Sequence, residues 1–137
     1  MLLAELFDPE SVRVLSIGPQ APVLDALEFM HQECVGSLVV FEDGELIGIV
    51  TERDYASKIL LRNRSSKSTV VEDIMTRKVI TGDPAMSVDA CIALMTEKHI
   101  RHLPVLSAGV VVAVLSIRDL MHAIVNDQHA FLNQFDT

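Results

Sequence analysis

Shifted on itself by 65 residues, the sequence superimposes residues 14–55 on 79–120 without a gap, and nine of those 42 positions are identical. The identities include Pro19 with Pro84, Val23 with Val88, Met30 with Met95, Gly44 with Gly109, and the pairs Arg53-Asp54 and Arg118-Asp119. Other positions exchange like for like: Leu15 with Ile80, Ile49 with Val114, Thr51 with Ser116. A chain of 137 residues built this way is two half-size units. Neither buries enough surface to stand alone, so the two must share a core.

Within each copy the hydrophobic period changes in a fixed order. A short β-branched piece ("VRVLSI", "KVITG") leads through a Pro-containing turn into "VLDALEFMHQE" or "VDACIALMTEK", where apolar residues recur at three- and four-residue steps as in an amphipathic helix. Then come "GSLVVF" and "HLPVL", a turn at "EDGE" or "SAG", and "LIGIV" or "VVVAVL", the pattern of a hairpin. "YASKIL" and "LMHAIV" resume helical spacing. The expected fold is α/β, two tandem β-α-β-β-α units, the first over residues 1–65 with a short N-terminal helix in "MLLAELFDPE", the second over 66–137 with a C-terminal helix. "RNRSSKSTV" reads as the connector. The tail is expected to prolong the last helix, with Phe131 and Phe135 covering apolar surface.

Composition narrows the function classes. Half of the residues are hydrophobic, yet no run approaches the roughly 20 apolar residues of a membrane span. The opening residues carry Glu5 and Asp8 and no basic leader, which predicts a cytoplasmic protein. A net charge of −8 repels nucleic acid and acidic membranes, so neither is an expected partner. Cys34 and Cys91 lack metal-type pairing and are expected to be small buried side chains rather than a disulfide. No Walker loop, dinucleotide fingerprint or Ser-His-Asp constellation is present, and His99-x-x-His102 lacks a clear third ligand, so neither an enzyme nor a metal site is expected.

Each copy ends in a polar corner, Thr51-x-Arg53-Asp54 and Ser116-x-Arg118-Asp119. A hydroxyl followed three residues later by a carboxylate is close to a helix capping box, and capping alone explains both residue types. It does not explain the arginines, because a cation in a first helical turn opposes the helix dipole. A bound phosphate would supply the missing anion and be met by helix N–H groups and guanidinium together. From the residues alone the two readings stand about level.

The order, spacing and duplication of "GIVTERD" at 48–54, "DIMT" at 73–76, "IRHLPVL" at 100–106 and "AVLSIRD" at 113–119 resemble a pair of cystathionine-β-synthase (CBS) domains, the arrangement called a Bateman module. That resemblance covers nearly the whole chain. It implies units packed sheet to sheet about a pseudo-twofold axis, with two clefts for adenine ligands: AMP, ADP or ATP, or else NAD(H) or S-adenosylmethionine. It implies that Asp54 and Asp119 accept from a ribose diol, with Thr51, Arg53, Ser116 and Arg118 beside sugar and phosphate. Arg101 and His102, in the densest basic stretch of the chain, are implied to face the phosphates of both clefts. An adenine slot is expected among Ile17, Val35, Ser37, Leu38, Ile80, Ile100 and Val114. Ala113 stands where the first copy has Gly48, and Val39 where the second has Pro104, so the two clefts are expected to differ.

The expected function is a non-enzymatic regulatory module that passes adenine-nucleotide occupancy on to an effector protein. The alternatives are a ligand-free dimerisation scaffold of the same fold and an enzyme acting on a nucleotide. A homodimer is expected through helix positions left uncovered around Leu27, Met30, Tyr55, Ile59, Met95, Leu120 and Ile124.

Overall fold

Apolar runs on either side of Asp43-Gly44 and Ala108-Gly109 fold as hairpins, as the repeat predicts. In the computed structural model, which describes residues 1–135 with side chains through 127, they are β2 (Ser37–Glu42) with β3 (Glu45–Thr51) and β4 (His102–Ser107) with β5 (Val110–Ser116). Each loop is two residues long with positive φ at both, 52° and 82° in the first copy and 51° and 79° in the second. That is the geometry whose twist matches the flanking strands. Each hairpin also carries a bulge at the same place, between Val40 and Phe41 and between Val105 and Leu106. Asp43-Gly44 suits such a turn, but Ala108 holds a left-handed conformation that costs an L-residue about 1 kcal/mol. Ala108→Asn, which tolerates that region, is expected to raise the melting temperature, a gain readable by calorimetry.

The remaining elements of the first copy are β1 (Ser16–Ile17), α1 (Val23–Glu33), and α2 (Glu52–Tyr55), which runs on as a π-helical turn over Ala56–Leu60. β1 lies parallel to β2, giving the order β1-β2-β3. The second copy has α3 (Val88–Lys98) and α4 (Ile117–Phe135), but its sheet has two strands, not three. The strand expected in "KVITG" is reduced to one bridge, Gly82 to Val105. Pro104 is the cause: in the first copy Val39 donates its N–H to the carbonyl of Leu15 at 3.2 Å, and a proline has no N–H to give.

The chain gathers into two compact units. One is Val14–Ile80; the other joins Met1–Arg13 to the chain from Thr81 onward. The segment leading into each copy docks on the other unit. A 3₁₀ turn at Leu3–Leu6 is held by Leu3 N–H to the carbonyl of Met86 and Val88 N–H to that of Met1, both 2.9 Å. A second 3₁₀ turn, Val71–Asp73, is held by Val71 N–H to Ala21 and Val23 N–H to Thr69, both 2.8 Å. Composition marked 62–70 as linker but not which half its far end would join.

The core of the first unit gathers Val23, Ala26 and Met30 of α1, Leu38, Val40 and Val50 of the hairpin, and Ile59, Val71, Ile74 and Met75. Four positions expected to be uncovered for dimerisation, Met30, Ile59, Met95 and Leu120, are instead buried. Met30 and Ile59 belong to the core of the first unit, a destination that helical spacing alone does not distinguish from a face left for a partner. Leu27, Tyr55 and Ile124 are half-buried; the exposed apolar side chains include Leu60, Leu61, Met121 and Val125.

The cysteines divide. Cys91 is buried, and burial pushes its thiol pKa up. Cys34, expected inside, is exposed: it ends α1 in the left-handed conformation, the place His99 takes at the end of α3. Phe131 and Phe135 lie outside the described side chains.

Candidate functional site

Each polar corner sits where the hairpin's second strand turns into a helix, and in both the capping box is formed. At the first, Asp54 donates its N–H to Thr51 Oγ1 at 3.1 Å while Asp54 Oδ2 accepts from Thr51 N–H at 3.0 Å. At the second, Asp119 N–H meets Ser116 Oγ at 3.1 Å and Asp119 Oδ2 accepts from Ser116 N–H at 2.8 Å. Strand register brings the start of the preceding strand alongside. Ser37 lies opposite Thr51 and His102 opposite Ser116, with Glu52 N–H donating to the carbonyl of Gly36 at 3.1 Å and Ile117 N–H to that of Arg101 at 2.9 Å. Arg101, His102, Ser116, Arg118 and Asp119 therefore come together within one unit. Arg101, Arg118 and Asp119 are exposed, and His102 and Ser116 half-buried.

The first corner carries more than a cap. Asp54 is buried, and its Oδ2 also accepts from the Thr51 hydroxyl at 3.1 Å. Its Oδ1 accepts from Lys58 Nζ at 2.9 Å and from the Thr76 hydroxyl at 3.0 Å. Lys58 donates again, to the carbonyl of Ile74 at 2.8 Å, and so ties the corner to the segment that leads into the second copy. Thr76 is fixed by backbone pairing with Ile49 in both directions, 2.8 and 3.0 Å. At Asp119 the arrangement stops at the cap: among the described residues no donor reaches Oδ1. Sequence reasoning missed Lys58 and Thr76. Carrying the repeat three residues past its aligned block would have found the first, because the counterpart of Lys58 is Ala123.

Gly48 lets the segment of Met75 and Thr76 approach β3 closely. A Cβ there would lie 2.6 Å from Met75 Sδ and 3.1 Å from the carbonyl oxygen of Thr76. Gly48→Ala should therefore cost about 1–3 kcal/mol by overpacking and loosen the Thr76 contact with Asp54, visible as a lower denaturation midpoint.

The residues expected to form an adenine slot are distributed between the units. Ile17, Val35, Ser37, Leu38 and Ile80 belong to the first, and Ile100 and Val114 to the second. Leu38 is fully buried in the core, Ser37 is buried, and Ile17 and Val35 pack against that core. Ile80, Ile100 and Val114 are half-buried. Among the described residues no three His, Cys, Asp or Glu side chains converge as a metal site, and no helix is long and apolar enough to cross a membrane.

A duplicated strand-helix-hairpin-helix unit with a Ser/Thr-x-x-Asp corner at each hairpin exit defines a tandem repeat module of the CBS type. The family model for the CBS domain matches twice, at residues 10–61 and 71–126. The chain belongs to the CBS domain family, whose tandem pairs are regulatory ligand-binding modules. It is 44% identical over 119 residues to the mitochondrial CBS domain-containing protein CBSX3 of Arabidopsis thaliana, covering 83% of this chain and 58% of that protein, so it spans less than two thirds of that relative. The solved CBS domain structure NE2398 is 38% identical, covers 91% of this chain and 98% of its own, and superimposes with a TM-score of 0.86. The CBS domain pair of MJ0100, solved in complex with 5′-methylthioadenosine and S-adenosyl-L-methionine, shares the fold at 22% identity and a TM-score of 0.78, covering 93% of this chain and 98% of that one.

Proposed function

We propose that this chain is a regulatory module that binds an adenine nucleotide and passes its occupancy to a partner protein. The observation that carries the reading is the second corner. An exposed carboxylate, one of whose oxygens meets no donor among the described residues, stands at the start of the long helix α4, with Arg118 one residue before it and Arg101 immediately before the adjoining strand β4. A ribose offers a cis-diol to such a carboxylate, and a phosphate suits the two guanidinium groups and the helix N–H groups. Within the family the MJ0100 pair is complexed with two ligands whose common part is adenosine. AMP, ADP and ATP fit the combination of diol acceptor and basic side chains; NAD(H) and S-adenosylmethionine share the adenosine portion.

The test is a thermal-shift panel with AMP, ADP, ATP, NAD(H) and S-adenosylmethionine, since a ligand that favours the folded state raises its stability by mass action. A shift of several degrees with at least one, reduced in Arg101→Ala, is expected. No shift with any of them would favour a ligand-free interaction scaffold. Met121 and Val125, exposed one turn apart on α4, favour self-association as a second property of the module. A dimer in sedimentation that weakens with Met121→Glu is the expected result.

A further inference from the structure

We infer that the chain has a single open nucleotide corner, that of Asp119, and that the corner of Asp54 is closed from within by Lys58 and Thr76. The inference rests on the nucleotide reading above and adds its stoichiometry and the residues that set it.

An ionised carboxylate has about four lone-pair positions. At Asp54 four donors from the protein occupy them, two on Oδ2 and two on Oδ1. The group is buried, and one of the four donors is an ammonium, which makes the bond charge-assisted. A ribose diol arriving there would have to displace the Lys58 ammonium and the Thr76 hydroxyl, leaving both to find other partners. Two backbone bonds to Ile49 hold the Thr76 main chain at this corner, so even a rotated Thr76 side chain stays beside Asp54. The second corner has the same cap and neither plug. Ala123 stands in the place of Lys58, and among the described residues no segment pairs with β5 as Thr76 pairs with Ile49 on β3. Duplication thus kept the strand-to-helix cap in both copies and left the carboxylate's outer face open in one. In the closed copy the Asp is a structural residue, with Lys58 supplying internally the positive charge that Arg101 brings to the open one.

Calorimetric titration with AMP, ATP and S-adenosylmethionine tests this. The parent chain is expected to take up one ligand, and Asp119→Asn to lower that affinity by about 10- to 100-fold, the range for a lost hydrogen bond to a charged group. The double variant Lys58→Ala/Thr76→Val, which uncovers Oδ1 of Asp54, is expected to raise the stoichiometry from one to two. Its circular dichroism would show that it is folded; if it is not, the Thr76→Val single variant takes its place, with the same gain expected at weaker affinity. Two equivalent ligands bound by the parent would overturn this inference and leave the proposed function intact, as would one ligand unaffected by Asp119→Asn or a stoichiometry that stays at one in the uncovered variants. No binding of any of the three probes would overturn both.

Discussion

Asp54→Ala is expected to destabilise the protein by about 3 kcal/mol, whereas Asp119→Ala costs about 1 kcal/mol or less. Removing a buried carboxylate leaves its donors without partners, and breaking a buried ion pair from one side is costed at about 3–5 kcal/mol. The lower end applies because the Lys58 side chain is 34% exposed and recovers part of its hydration. At Asp119 the loss is that of one reciprocal cap on a solvated helix start, about 0.5–2 kcal/mol in general and near the low end where water replaces the carboxylate. Urea denaturation of the two variants separates the cases. Equal midpoints would mean that Lys58 and Thr76 contribute nothing to stability and that both carboxylates serve only as caps.

The second large effect lies at the third residue of the chain. Leu3→Ala is expected to cost about 2–4 kcal/mol, the range for deleting a buried leucine side chain. Leu3 is fully buried, and its Cδ1 comes within 3.6 Å of where a side chain on Gly82 would begin. Its neighbour Leu2 is 44% exposed, so Leu2→Ala should change stability by no more than about 0.5 kcal/mol. A thermal denaturation pair in which both variants melt with the parent would show that the leading segment is not part of the second unit's core.

How far the sequence carries can be read from particular residues. Hairpins, helices, caps and corner positions were legible because each depends on local spacing that the repeat states twice. The missing strand before α3 was not, since it follows from a single absent N–H at Pro104, and the π-helical turn at Ala56–Leu60 has no spacing signature in the sequence. Helical periodicity found the apolar positions of α1 and α3 but could not say whether Met30 and Met95 faced the unit's own interior or a second chain. At the corners the sequence gives the residue types but not how they are used. The partner that distinguishes Asp54 from Asp119 beyond the helix, Thr76, lies 22 residues away and meets it only through tertiary pairing with β3.

The exchange of leading segments also orders events during synthesis. The unit Val14–Ile80 is contiguous, and every backbone bond that closes it is in hand once residue 80 has emerged from the ribosome. The other unit is discontinuous, because Leu3 and Ala4 must wait for Pro84 and Met86. Domains fold largely as units as they appear during synthesis, so the contiguous unit completes before residues 1–13 have the partners they bond in the other. The same order means that a nascent chain stalled between the copies presents a finished contiguous unit together with the apolar side chains of Leu2 and Leu3, whose docking partners around Pro84 and Met86 are not yet made.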